Sequence, residues 1–259
     1  MVNISDSLIK KFKAQDYCPQ KIKLVSLDKM GREEPGQAMI KGSYFESLAL
    51  AMNGVPEPPR LKNGEKSVDV QRIESQAVRF FGLLDEYKMQ IQETQIEIIR
   101  PYNEKYQLKG FIDFTSPFLD NEIGFQPIAI FDLKLTKSIY AELNYDNASA
   151  PWSWAFPFNK DHTQAYMYNY LFELQFGANL PFYYFVFDYK PEPEFKIIRK
   201  KIGPLERAEL IESIEKTIHA IEENEACGWP TVASYKNCKT CPIKNTCDDS
   251  ITRQPVSTV

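Results

Sequence analysis

The spacing of apolar residues changes along the chain, and the change divides it into helical and extended stretches. Up to about residue 90 the apolar positions recur at intervals of three and four, the signature of one buried helix face. A short lysine-bearing helix is predicted over 5–14, with Ser5 as its N-cap. A second over 37–52 carries Phe45, Leu48, Ala49 and Met52 on or near one face. A third over 67–89 carries the stripe Val70, Ile73, Ala77, Phe80, Phe81 and Leu84. Between these two, residues 53–63 are rich in proline and form a loop.

The period then shortens to two. Residues 95–100 set Ile96, Ile98 and Arg100 against Gln95, Glu97 and Ile99. Segments 106–114 and 127–135 are also strand-like. Segment 115–126 between them has turn composition: Pro117, Asp120, Asn121 and Gly124. A three-stranded antiparallel meander follows from these signals. An irregular stretch over 138–159 leads to a helix over 161–175. Strands over 182–189 and 194–201 are joined at Pro191, Glu192 and Pro193. A last helix starts at Pro204 and runs to about Asn224. The order of helices, three strands, helix, two strands, helix predicts an α/β or α+β core behind a helical front piece. The expected division is one domain over 1–259: front piece 1–90, core 91–203, and a helix with a cysteine-bearing tail over 204–259.

Composition changes this picture little. The 259 residues are 43% hydrophobic and 25% charged, ordinary for a globular chain with a real core. A formal net charge of −4 argues against a surface coated for nucleic acid, but it leaves room for a local basic groove. Lysines gather at Lys10, Lys11, Lys13, Lys21 and Lys23, and a second basic group is Lys196, Arg199, Lys200 and Lys201. The most apolar run, 182–187, is strand-sized, so no membrane span is expected. No secretory signal is visible, and the expected compartment is the cytoplasm. The five cysteines are an odd number, and in that compartment they are metal-bound or free rather than disulfide-bonded. There is no glycine-rich phosphate loop. With His162 and His219 as the only histidines, there is no nucleophile–histidine arrangement either.

The candidate chemistry is acidic. On the strand 127–135, Ile128, Ile130, Asp132 and Lys134 share one face, so a carboxylate and an ammonium end an otherwise apolar row. A carboxylate there can hold a divalent cation, and a lysine can position or activate a water. Asp113 ends the preceding strand, after Lys109 and Gly110, and antiparallel pairing would bring it beside Asp132. A cation between two like charges offsets their repulsion. Glu46 interrupts the apolar stripe of the helix over 37–52, and Gln164 and Tyr168 lie one turn apart on the helix over 161–175. Each of these is unremarkable alone: a strand-edge ion pair, an exposed helix acid, a surface Gln and Tyr.

As an ordered set, Gly42 to Glu46, Gly110 to Asp113, Asp132–Leu133–Lys134 and Gln164 to Tyr168 resemble the PD-(D/E)XK nuclease superfamily, in particular its RecB-like branch. The resemblance implies an α/β, restriction-endonuclease-like core, with a mixed central sheet flanked by helices. It implies that Glu46, Asp113 and Asp132, with the Leu133 carbonyl, hold Mg²⁺ or Mn²⁺, that Lys134 is the catalytic lysine, and that Gln164 and Tyr168 form an auxiliary motif. Glu46 stands where many relatives carry His, and an acid suits a hard cation well.

Cys238, Cys241 and Cys247 form a tight group of thiols needing a fourth ligand, for which spacing alone offers both Cys18 and Cys227. The resemblance selects Cys18. One cysteine before the core and three after it are similar to the iron–sulfur nucleases of the fourth CRISPR-associated protein family, their phage relatives and the nuclease domain of AddB. It implies an iron–sulfur cluster, 4Fe-4S in type, clamping the N- and C-terminal regions. Zinc on the same thiols is the competing possibility. The implied activity is exonucleolytic hydrolysis of single-stranded DNA ends, in a prokaryotic cell or from a phage genome, by a chain that works alone, as a homo-oligomer or beside a recombination or CRISPR partner. The alternative is a non-catalytic or partner-dependent DNA-binding subunit of a recombination or CRISPR-adaptation complex. In the irregular stretch, Tyr140, Tyr145, Trp152, Trp154, Phe156 and Phe158 suit either base stacking or packing onto the core. For His162 a helix-terminus role is expected ahead of a phosphate contact.

Overall fold

The computed structural model describes residues 1–14, 17–52, 54–58, 60, 63–140, 154–157, 160–234, 238–239, 241–245 and 247. Tyr145, Trp152 and Phe158 lie outside the described residues. The chain forms two compact units. One comprises 1–34, 99–110 and 205–259, and the other 35–98 and 111–204.

In the second unit, helix α3 (Gln37–Ala49) and helix α4 (Val68–Glu86) pair through their apolar faces. Ser67 caps α4, its hydroxyl accepting from the Val70 amide. The sheet is built from β2 (Glu93–Pro101), β3 (Tyr106–Asp120), β4 (Gly124–Thr136), β5 (Phe182–Asp188) and β6 (Phe195–Lys200). β2 and β4 both pair with β3, the latter antiparallel. β5 runs parallel to β4, and β6 antiparallel to β5, so the sheet is mixed. The parallel step needs a crossover, and helix α5 (Thr163–Phe176) lies on it.

Strand alternation then sorts the side chains. Ala129, Phe131, Leu133, Tyr183, Phe185 and Phe187 join the apolar cluster of α3 and α4. Their neighbours Ile130, Asp132, Phe182, Tyr184 and Val186 are buried on the opposite face, where Gln164 and His162 reach them from the start of α5. β5 is buried along its whole length, as expected of a strand covered on both sides.

Two expectations need correction. The stretch 115–126 is mostly strand, and only residues 121–123 turn. Pro117 is accommodated by a register shift between Ser116 and Phe118, and the Ser116 hydroxyl accepts from the Gln90 amide. Phe118, packed against Phe131 and Tyr183, holds the strand in the core beyond its proline. Asp120 closes the turn by accepting from the amides of Glu122 and Ile123, and Gly124 follows with φ 79°. On α4, Phe81 is exposed. The buried polar Gln76 takes a core position, donating to the carbonyls of Asp188 and Glu194.

In the first unit, β1 (Val2–Ile4) pairs in parallel with the first residues of β3, Val2 opposite Tyr106 and Ile4 opposite Leu108. Helix α1 (Asp6–Lys13) has Ser5 as its cap. Helix α2 (Pro19–Lys21) passes into a π-helical segment, Ile22–Leu27. The 23-residue α6 (Pro204–Ala226) buries Leu210, Ile214 and Ile221. Lys10, Lys21 and Lys23 are paired with Asp6, Glu33 and Asp28, so much of the N-terminal basic group is neutralised locally. No helix among the described residues is long and apolar enough to cross a membrane.

Candidate active site

Asp132 sits near the middle of β4 with no exposed surface, covered on both sides by other layers. An isolated charge there would be costly, so its surroundings must supply compensation. Lys134, two residues on and therefore on the same face, places its Nζ 2.5 Å from Asp132 Oδ2. Gln164, in the first turn of α5, donates to Asp132 Oδ1 at 2.9 Å and stands at the same distance from the Tyr168 hydroxyl one turn later. Asp113, on the antiparallel neighbour β3, accepts from the Leu133 amide at 2.7 Å. Glu46 reaches the group from α3.

The electrostatics agree that the four ionisable groups share one space. Burial pushes the Asp113 carboxyl well up, and the charges of Asp132 and Glu46 push it further. Glu46 is raised by burial and then by Asp132, against the pull of its hydrogen bond from Gln95. Burial alone would lower Lys134, but Asp132, Asp113 and Glu46 more than offset it and hold the ammonium above its ordinary value. Three carboxylates thus face one ammonium, an excess of negative charge that a cation would relieve. Among the described residues no set of three or more His, Cys, Asp or Glu side chains stands ready to hold a metal ion. Each of the three carboxylates is instead engaged by a protein donor: Lys134 and Gln164 on Asp132, the Leu133 amide on Asp113, and Gln95 on Glu46.

Gln95 is an addition to the group that sequence reasoning misses. Its Nε2 donates to Glu46 Oε1 at 2.5 Å, and its backbone has φ 52°, outside the strand conformation. A left-handed residue inside a strand costs about 1–3 kcal/mol and commonly marks a functional position. Sequence alternation treats Gln95 as one more outward polar residue, and no pattern signal separates it from Glu97. His162 proves structural. Its Nε2–H donates to the Pro157 carbonyl and its Nδ1 lies 3.3 Å from the Tyr184 hydroxyl, while burial lowers its affinity for a second proton.

In the first unit, Cys18, Cys238, Cys241 and Cys247 are buried and line one cavity with Gln20 and Lys21 in its wall. Cys227 is exposed and does not line it. Cys18 is at the start of α2, where its sulfur lies 3.5 Å from the Val232 amide, and Cys247 lies 3.4 Å from Gln20 Oε1. Burial raises the Cys241 thiol, and its neighbours Cys18 and Cys238 add to the rise, whereas Lys21 opposes it.

Comparison with known proteins bears on the fold. No protein-family model matches the chain, and no curated protein matches it. A crystal structure of a protein from Eubacterium rectale, provisionally named an exonuclease, superposes with a TM-score of 0.66. The match covers 98% of this chain and 91% of that one at 18% identity. A second solved structure, 15% identical over 96% of this chain and 87% of its own, has a TM-score of 0.38, too low to carry an argument. At these identities the likeness is one of fold: a mixed sheet flanked by helices, shared with the Eubacterium rectale protein along nearly the whole chain.

Proposed function

We propose that the chain is a metal-dependent DNA nuclease of the PD-(D/E)XK type and RecB-like branch, acting as an exonuclease on single-stranded ends. The observation that carries this reading is the convergence of Glu46, Asp113, Asp132 and Lys134, from α3, β3 and β4, with Gln164 and Tyr168 beside Asp132. Two carboxylates and a lysine on adjacent strands of a mixed sheet suit phosphodiester hydrolysis, and the name given to the Eubacterium rectale protein agrees with that chemistry.

The oxygens of Glu46, Asp113 and Asp132, with the Leu133 carbonyl, would hold Mg²⁺ or Mn²⁺, hard cations that favour such donors. A bound cation supplies Lewis-acid stabilisation of the phosphoryl oxygen and lowers the pKa of water. The surrounding carboxylates favour the ammonium form of Lys134, which suits donation to the attacking water or to a non-bridging phosphate oxygen. Gln164 fixes the orientation of Asp132 and leaves the Tyr168 hydroxyl within reach of the same space.

The four-cysteine cavity suits an iron–sulfur cluster held by Cys18, Cys238, Cys241 and Cys247. Four soft thiols at one buried place are the donor chemistry such a cluster takes. Burial favours the protonated Cys241 thiol, and ligation would discharge it.

Labelled single-stranded DNA incubated with the full chain and Mg²⁺ or Mn²⁺ tests the activity. Degradation from the ends is expected, and Lys134→Ala should reduce it by about 10²–10³-fold, the scale of losing one donor to the transition state. Equal degradation by that variant would rule out the mechanism.

A further inference from the structure

Beyond the catalytic group, the same sheet face carries a line of lysines that the chemistry above does not use. Strand register places Lys134 opposite Val186 and Val186 opposite Lys196, so the two lysines stand in one row across β4, β5 and β6. Neighbouring strands are about 4.8 Å apart, which puts the Lys196 backbone about 10 Å from that of Lys134. One row over, Asp132 is opposite Tyr184, which is opposite Ile198. Lys196, Ile198 and Lys200 alternate onto this face, so a basic edge leads away from the catalytic row along β6.

Aromatic groups stand behind these lysines. Lys196 Nζ donates to the Trp154 carbonyl at 3.3 Å. Lys160 lies over the Trp154 ring, 4.4 Å from its centroid, and Lys200 lies over Tyr166 at 5.2 Å. Trp154 in turn packs on Tyr184, 5.1 Å between ring centroids. Lys160 and Lys200 both lie close enough to His162 to disfavour its protonation. Asp161, the acid beside them, accepts from the amide and hydroxyl of Thr163 at the start of α5. On a chain of net charge −4, a basic row backed by aromatic rings and directed at the catalytic lysine is complementary to a polyanion.

We propose that Lys160, Lys196 and Lys200, positioned by Trp154, form a phosphate track that receives the nucleic-acid strand and leads it to Asp132 and Lys134. The proposal rests on the nuclease reading for the identity of its polyanion. An ammonium resting on a ring face suits phosphate, because the ring holds it in one place.

The test separates the two ideas. Binding of a fluorescent oligothymidylate to the full chain is followed by anisotropy in EDTA across a salt series, and cleavage is followed separately with Mn²⁺. The triple variant Lys160→Ala, Lys196→Ala, Lys200→Ala should bind at least about tenfold more weakly. Its log–log salt slope should be shallower by about two, since each phosphate neutralised on a single strand adds roughly 0.7 to the slope. Trp154→Ala, which keeps all three charges, should weaken binding less. A merely structural role would change thermal stability without changing the salt slope, so melting curves accompany each variant. An unchanged slope in the triple variant overturns the track even if the wild-type chain cleaves DNA. The predicted slope change in a wild-type chain that does not cleave supports the track and refutes the nuclease reading.

Discussion

The acidic centre and the cysteine cavity are built in opposite ways. The acidic centre is part of the sheet: Asp113 and Asp132 lie on adjacent strands, and the Asp113 carboxylate accepts from the Leu133 amide next to Asp132. Its charges are already answered by protein donors from Lys134, Gln164, Gln95 and the Leu133 amide. The cysteine cavity draws on two segments more than 200 residues apart in sequence, one at a short helix start and the other running from Cys238 to Cys247. Its protein contacts include a 3.5 Å approach of the Val232 amide to Cys18 and a 3.4 Å contact of Cys247 with Gln20. The first site is held by the fold. The second, by this reading, needs its occupant to hold the segments together.

The sharpest way to break this contrast is Cys238→Ala. Anaerobically purified wild-type chain should show iron and a broad visible absorbance, and the variant should lose both, along with several kcal/mol of stability, since a structural metal's binding energy is folding energy. Cys227→Ala should change neither property, because that residue is outside the cavity. Retained absorbance in Cys238→Ala, or zinc in place of iron, would sink the cluster assignment.

A smaller effect is expected at the edge of the acidic centre. Gln164→Ala removes the donor on Asp132 and the contact with Tyr168, and should lower the cleavage rate by about 10–100-fold with the melting temperature little changed. A rate within twofold of wild type would show that the sheet alone orients Asp132.

The smallest effect is on stability, and its sign is opposite to that at the cysteines. Burial and neighbouring charges raise the Asp113 carboxyl, so folding favours its protonated form. That contribution is present in acid and is lost as pH rises through the raised value, which leaves a cost at neutral pH. Metal-free protein should therefore gain stability as pH falls from neutral toward the ordinary carboxylate range. Asp113→Asn should melt a few degrees higher than wild type at neutral pH, by about 1–2 kcal/mol, while losing activity, and should no longer show that gain. A lower melting temperature would mean that the carboxylate is better compensated than its surroundings suggest.

Much of this is legible in the order of residues. The cap at Ser5 is a local sequence signal, and the strand carrying Asp132 and Lys134 and the turn of helix between Gln164 and Tyr168 follow from local periodicity, because side-chain direction in a helix or strand is set by the backbone alone. Sequence reasoning underestimates the strands on either side of Pro117, because turn composition is a local signal, whereas the burial of Phe118 against Phe131 and Tyr183 is not.

Three matters were decided only by the tertiary structure. Which cysteine lines a cavity with the C-terminal three is open from spacing, since Cys18 and Cys227 are chemically equivalent; packing buries one in the cavity and leaves the other exposed. Gln95 is a partner of Glu46 and has a left-handed backbone angle, and no periodicity encodes either. The charge state around Asp132 depends on how many carboxylates share a dry space, and that number exists only once α3, β3 and β4 have met. The sequence by itself determined which residues have the right chemistry and which way each points along its own element. Distance between elements, and with it burial, pairing and proton affinity, is a property of the folded chain.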